Sequence, residues 1–307
     1  MGHSLTSATF SAAGYAAARP SYPASLFKTL LGFHQGHTSK GSFIVDLGCG
    51  HGLIARELAP HFEKTLGLDP SAGMVRQAAE MTSDPSITCK QSSAENLSFL
   101  PDKSVDMVVS GQAAHWYDYS KVWPELRRVL KPGGTMGFFG YKDNMLVGHT
   151  GANKIMDRFC YAEGEVAPRV EGMNKYWEQP GRNKVRNLLR EIVPPKEDWE
   201  GVDRRLYDVA MDVQELPDEE TAWMRKKLNF GGLEGYLRTF SYYQGWRDAH
   251  PDAKSRDEGG QGDIVDLLLD QLIASEPEWK AAGEGWRDVE VETVWGTYIL
   301  MARRRQD

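Results

Sequence analysis

The sequence predicts a doubly wound α/β fold, and three observations predict it. Short apolar runs stopped by glycine or a polar residue recur between residues 43 and 140. Stretches with helical apolar spacing separate those runs, and a last strand-like run returns at 289–303 after a long region of different character.

Residues 43–49 (Phe-Ile-Val-Asp-Leu-Gly-Cys) suit a strand buried on both faces of a parallel sheet. Leu53, Ile54, Leu58 and Phe62 then fall at roughly helical spacing. Residues 64–69 make a second strand ending in Asp69-Pro70-Ser71, a good start for the helix that carries Met74, Val75 and Ala78. A weaker strand is expected at 87–91, a buried one at 105–110, a helix at 120–130 and a strand at 135–140. Beyond Tyr141 the alternation stops. Helices are expected at 151–163, 181–191, 219–228, 231–247 and 262–274, a strand at 203–209 and a long final strand at 289–303. These runs make seven strands in a mostly parallel sheet. The Gly- and charge-rich tract 250–263 reads as a mobile loop.

The 36 basic and 43 acidic residues leave a formal charge of −7 with no basic stripe, so nucleic acid is not expected as a substrate. Three cysteines, Cys49, Cys89 and Cys160, lack CxxC spacing and argue against a disulfide framework. No run of 18 apolar residues is present, and Arg19, Pro20 and Pro23 interrupt the Ala-rich start. A cytoplasmic protein without membrane insertion is expected. No His, Cys, Asp or Glu set has metal-ligand spacing, and no metal is expected. The oligomeric state is not written in the sequence.

The loop Asp46-Leu47-Gly48-Cys49-Gly50-His51-Gly52 lies between a strand and a helix, where glycines let a ligand approach the backbone closely. Asp46 would repel a phosphate, and suits a ligand bearing a positive amino group. Asp69 ends the next strand, where a carboxylate can accept both hydroxyls of a ribose. Each acid alone has an ordinary reading, a solvated strand end for Asp46 and a helix N-cap for Asp69. Their joint placement around one glycine loop favours a ligand.

Together, Val45–Gly52, Gly67–Met74, Ser93–Phe99 and Leu126–Gly134 resemble the class I S-adenosylmethionine-dependent methyltransferases over residues 40–141. The resemblance implies a Rossmann-like sheet, S-adenosylmethionine as cofactor and S-adenosylhomocysteine as product. It implies that Asp46 and the Gly48, Cys49 and Gly50 backbone hold the methionine moiety, and that Asp69 and Pro70 flank the ribose. Met74 would cover adenine, Ser93, Ala94 and Glu95 would line it, and Gln112 would touch the methionine part. Relatives often carry an acid where this chain has Ser93. The narrower resemblance is to the trans-aconitate methyltransferases and related fungal small-molecule methyltransferases of the cantharidin type. It rests on Tyr15-x3-Arg19-Pro20-x-Tyr22-Pro23, on Ala114-His115-Trp116 and on Tyr236-Leu-Arg238-Thr-Phe-Ser241. It implies a carboxylic acid acceptor, with residues 1–40 as an N-terminal helical lid in which Tyr15 covers the cofactor and Arg19 pairs with its carboxylate. A helix packed on the sheet edge is the plain alternative for that segment. Residues 41–141 would form the cofactor-binding core, completed by 203–209 and 289–307, with 142–288 as a mostly helical substrate cap.

Methyl transfer from a sulfonium is an in-line displacement that asks mainly for alignment in a dry pocket. A carboxylate is already a nucleophile at pH 7, whereas a thiol or phenol benefits from a base. His115, following the fourth strand, is the candidate for either hydrogen-bonding an acid or acting as base, with Trp116 beside it. Arg238 and Tyr242 are candidates for gripping the acceptor, with surface exposure the ordinary reading of Arg238 and core packing that of the tyrosine. Three functions stay open: a carboxylate methylator, an enzyme acting on a thiol, phenol or amine, and a cofactor-binding protein without methyl transfer.

Overall fold

The computed structural model describes residues 20–35, 41–219 and 221–306. Its centre is a sheet in which β1 (Gly41–Leu47), β2 (Phe62–Asp69), β3 (Ile87–Gln91), β4 (Val105–Gly111) and β5 (Leu130–Leu146) are parallel and run in the order β3-β2-β1-β4-β5. The chain moves outward from β1 to β3 and then crosses back to place β4 beside β1. This reversal opens a crevice at the carboxyl ends of β1 and β4, the usual ligand position in such sheets.

Both faces of the parallel strands are buried, which explains their unbroken apolar sequences. Side chains alternate between the faces. Phe43, Val45 and Leu47 pack with Val122, Leu126 and Val129 of helix α4 (Tyr119–Val129), whereas Ile44 packs with Leu26 and Leu30 of α1 (Ala24–Gln35) and with Ile54 and Leu58 of α2 (Leu53–Leu58). Asp46 shares the second face. Helix α3 (Ala72–Glu80) begins where Ser71 Oγ accepts the Met74 N–H.

Apart from a small antiparallel pair, β6 (Glu165–Ala167) and β7 (Val170–Glu171), the later strands join this sheet: the final strand, β10 (Glu290–Arg304), is antiparallel to β5 on one edge, and β8 (Trp199–Tyr207) is antiparallel to it on the other. The sheet differs from the seven strands expected. An eighth, β9 (Arg225–Asn229), pairs with Glu290–Val294 and continues the β8 edge. It lies where a helix over 219–228 was expected. At 15 residues β10 outruns β8, and the open N-terminal half of its edge recruits the Arg225-Lys226-Lys227 backbone, overriding local helix preference. The strand expected at 203–209 starts earlier, at Trp199.

Between β5 and β10 a third core gathers Phe159 of α5 (Thr150–Tyr161), Trp177, Tyr236 of α7 (Phe230–Leu237), Tyr242 of α8 (Ser241–Ala249) and Leu268 of α9 (Ile264–Ser275). The single helix expected over 231–247 is two helices, because the chain turns at Arg238-Thr239-Phe240 to bury Phe240. A short helix, α6 (Gly181–Arg186), replaces the longer one expected at 181–191. The tract expected as a mobile loop is pinned: Glu258 takes a forked bond from Arg247, and Arg256 forks onto Asp270.

Candidate active site

The β1 strand delivers Asp46 to the crevice and then turns through Gly48, Gly50 and Gly52, at φ of 69°, 53° and 81°. That left-handed backbone strains any residue with a Cβ, and at Gly48 a Cβ would also stand 2.4 Å from the Ala113 Cβ. The loop is tied to β2, since Gly48 and Cys49 both donate to the Leu68 carbonyl at 2.7 and 3.0 Å. Asp69 completes the frame, accepting from Gly50 N at 3.0 Å and from Ser71 N at 2.8 Å. Burial raises its pKa, and these two N–H bonds oppose the rise.

Asp46 is fully buried, and neither of its carboxylate oxygens has a hydrogen-bond partner of ordinary geometry among the described residues. Burial, the Asp69 charge and the Cys89 thiol push its pKa up to about 8, against a smaller opposing contribution from the Ala55 N–H. An orphaned acid held in this way lacks a cation. The site therefore fits a ligand that brings an ammonium group to the glycine loop.

The remaining candidates around the loop separate by what they touch. The Met74 side chain is buried near the start of α3, and the Pro70 carbonyl is held by Gln91 Nε2 at 2.8 Å. Ser93 is half-buried with its carbonyl accepting from Asn96 N, whereas the Ala94 methyl is sunk in the core, leaving only backbone to face a ligand. Glu95, expected to line adenine, has a carboxylate that accepts the Asp118 N–H at 3.1 Å and braces the start of α4.

Gln112 follows the end of β4 and lines the cavity described below. It closes a two-way clamp on Tyr141, with Nε2 donating to the carbonyl and Oε1 accepting the N–H, each at 2.8 Å. The residue adopts φ 55° to do so. Gly140 makes room for the clamp, since a Cβ there would lie 2.4 Å from Gln112 Oε1 and from the Tyr298 hydroxyl. Tyr117 props the same edge by donating to the Leu47 carbonyl at 2.9 Å while sharing a hydrogen bond with Ser110.

Next to this edge lies a cavity of about 80 Å³ walled by Gln112, His115, Trp116, Tyr141, Trp177 and Arg182, among others. His115 and Trp116 sit in a 3-10 turn with ring centroids 4.6 Å apart. They are covered by α6 at Gly181, where a Cβ would come within 2.6 Å of the Trp116 ring. The structure thus brings His115 and Trp116 to the cavity with Gln112.

It does not bring Arg238 or Tyr242 there. The Arg238 guanidinium is taken by Glu234, Asp263 and Asp266 and by the Tyr243 hydroxyl, so the expected fork for a substrate carboxylate is already closed by the protein's own acids. Tyr242 is fully buried, stacked on Phe240 at 5.3 Å and edge-on to Trp177 at 4.8 Å, behind the cavity wall. Tyr15 and Arg19 lie outside the described residues.

One cation on the cavity wall is a residue the sequence did not single out. Arg182, on α6, is buried with its guanidinium carbon 3.9 Å from the Trp177 ring centroid. Its Nη2 bonds Asp143 and the Tyr161 hydroxyl, and its Nε is buried without a hydrogen-bond partner among the described residues. Lys142 also lines the cavity, paired with Asp208. Nothing local marks Arg182, because its carboxylate partner stands far upstream at the end of β5.

Comparison with known proteins places residues 45–138 in a methyltransferase domain family. The whole chain is similar to the Probable S-adenosylmethionine-dependent methyltransferase CRG1 of Saccharomyces cerevisiae, at 24% identity over 97% of each chain. A shorter stretch matches the methyltransferase gedG of Aspergillus terreus, at 33% identity over 41% of this chain and 40% of that one. In fold, the chain resembles a solved structure from Anaeromyxobacter dehalogenans described as a type II methyltransferase, with a TM-score of 0.62, 24% identity, and coverage of 93% of this chain and 97% of that one.

Proposed function

Because this chain is a class I S-adenosylmethionine-dependent methyltransferase, we propose that it O-methylates a carboxylate of a small organic acid held in the cavity beside Gln112. The observation that carries the reading is Arg182, a buried cation that lines the cavity and whose Nε has no hydrogen-bond partner among the described residues.

Asp46 and the Gly48–Gly52 backbone would hold the methionine end of the cofactor, Asp69 the ribose hydroxyls, and Met74 with the Ser93–Glu95 backbone the adenine. Tyr15 and Arg19 would close the site from the segment 1–40, and 142–288 would cap the acceptor. When bound, S-adenosylmethionine supplies an electrophilic methyl on a sulfonium. An acceptor carboxylate would be ionised at neutral pH, so no residue of the chain would need to take a proton from it. The chain's task is alignment. Arg182 and His115 orient the acid, Trp116, Tyr141 and Trp177 exclude water, and the Gln112 clamp fixes the wall between the two ligands.

A second reading follows from His115, which lines the same cavity and would deprotonate a thiol or phenol. The two readings separate on product chemistry. Incubating the enzyme with S-adenosylmethionine and a panel of small acids, thiols and phenols, followed by mass spectrometry, should show products one methylene heavier from the acids. Mild alkaline hydrolysis should return those products to the starting acids, as it does for esters and not for thioethers or aryl ethers. Alkali-stable products, or none from any acid, would overturn the carboxylate reading.

A further inference from the structure

Two thiols meet above Gly67, under the glycine loop. Cys49 belongs to the loop, and Cys89 lies on β3 directly opposite Gly67, which in turn lies opposite Asp46. A Cβ on Gly67 would stand 2.9 Å from the Cys49 sulfur and 3.4 Å from the Cys89 sulfur, so both occupy the space that glycine leaves free. Cys49 is buried, whereas Cys89 is only half-buried and open to a small oxidant. The third thiol, Cys160, belongs to a different core.

The two sulfurs differ in reactivity. The neighbouring Cys49 thiol lowers the Cys89 pKa, burial opposes this, and the Arg56 charge assists it. The Cys49 pKa is raised by the neighbouring Cys89 thiol, by burial and by the nearby acids. Cys89 is therefore the attacking thiolate and Cys49 the resolving thiol. Neither sulfur is needed for methyl transfer.

We propose that Cys49 and Cys89 form an oxidisable dithiol whose disulfide form shuts the cofactor site. The oxidant is a peroxide. The Cys89 thiolate attacks one peroxide oxygen, the S–O bond forms and the O–O bond breaks, leaving a sulfenic acid, and the departing hydroxide takes up the proton that the Cys89 thiol had released and leaves as water. The Cys49 sulfur then attacks the Cys89 sulfur, the S–S bond forms and the S–O bond breaks. The departing hydroxide takes the Cys49 proton and leaves as a second water, so two electrons pass from the thiols to the peroxide.

The consequence follows from what Cys49 holds. Its N–H donates to Leu68, its carbonyl receives the Gly52 N–H, and the next residue, Gly50, donates to Asp69. Drawing the Cys49 side chain onto β3 shifts the backbone that this frame keeps in place for a ligand. Thiol pairs that form transiently in this way act as sensors where the surroundings are reducing.

The inference rests on the glycine loop being the cofactor site, and the test separates the two ideas. The full-length reduced enzyme is titrated with S-adenosylhomocysteine by calorimetry before peroxide, after it, and after dithiothreitol, with thiols blocked and peptides mapped by mass spectrometry. Peroxide should yield a cross-linked peptide pair joining Cys49 to Cys89 and weaken binding by at least about tenfold, and dithiothreitol should reverse both. Cys89→Ser and Cys89→Ala should bind as the untreated enzyme does and ignore peroxide. Absence of the cross-link, a cross-link that leaves affinity unchanged, or Cys89 variants that lose binding on oxidation as the wild type does would each overturn the proposal. Failure of the reduced enzyme to bind would instead sink the cofactor assignment.

Discussion

The guanidinium carbon of Arg182 stands 3.9 Å over the Trp177 ring while Asp143 holds one of its terminal nitrogens, and its buried Nε has no hydrogen-bond partner among the described residues. The ring contact and the ion pair position the fork. Lysine at this position keeps the charge and loses the plane. Arg182→Lys should therefore raise the KM for an acid acceptor by roughly 10- to 100-fold, the loss of one charge-assisted hydrogen bond. Affinity for S-adenosylhomocysteine should stay unchanged in the same preparation. An unaltered KM would remove Arg182 from acceptor binding.

Asp46 sets a pH dependence whose sign can be worked out. With its pKa pushed up to about 8, the acid is mostly neutral at pH 7 in the cofactor-free protein. An ammonium ligand needs it ionised. Affinity for S-adenosylhomocysteine should thus increase from about pH 6 to about pH 8, by up to roughly tenfold per pH unit, with close to one proton released on binding near pH 7. Calorimetry in buffers of different ionisation enthalpy measures that proton directly, and a flat profile would contradict the assignment. Stability runs the other way. Because the folded pKa lies above the unfolded value of about 3.9, the burial cost is absent below about pH 4 and grows as pH rises toward 8. Asp46→Asn should bind weakly at every pH, yet melt higher than the wild type near pH 8 when no cofactor is present.

The cofactor half of the proposed site is legible in the sequence because it is local. Asp46, the glycine loop and Asp69 lie within one strand–loop–helix–strand unit, where spacing along the chain maps directly onto spacing in the crevice. The acceptor half is assembled from distant segments, so its contacts leave no spacing to read. Arg182 meets Asp143 only because α6 folds back over the end of β5, and Gly181 gives no local hint that it makes room for Trp116. Arg238 misled for the same reason. Asp263 and Asp266 fall at the start of the helix expected over 262–274, but nothing in that pattern shows that both acids also grip an arginine at α7's C-terminal end. β9 was missed because a strand of Arg and Lys is set by an unfilled sheet edge and not by its own pattern.

Arg238 now carries a prediction about stability. Its guanidinium neutralises Glu234, Asp263 and Asp266, all buried, and ties α7 to α9. Removing the cation strands three acids in a low-dielectric setting, although Arg287 still pairs with Glu234. Arg238→Met should lower the unfolding free energy by about 3–5 kcal/mol, the usual cost of breaking a buried ion pair from one side. Urea titration reads the loss. In the fraction that remains folded, kcat and KM should match the wild type, and a selective rise in KM would return Arg238 to the acceptor site.

His115 decides between an acid and a protic acceptor, and the choice of substitution matters. The ring packs on Trp116 beneath Gly181, so alanine would open a void and disturb the wall as well as removing the imidazole. Asn or Gln keeps a hydrogen-bonding group there but cannot accept a proton near neutral pH. If the acceptor is a carboxylate, His115→Gln should cost less than about tenfold in kcat and leave its pH profile unchanged, because no proton moves in the step. If the acceptor is a thiol or phenol, loss of the base should cost about 10²- to 10⁴-fold near neutrality and partly recover at high pH, where the acceptor ionises unaided. The shape of the profile distinguishes a missing base from a displaced substrate, since displacement lowers the rate equally at every pH.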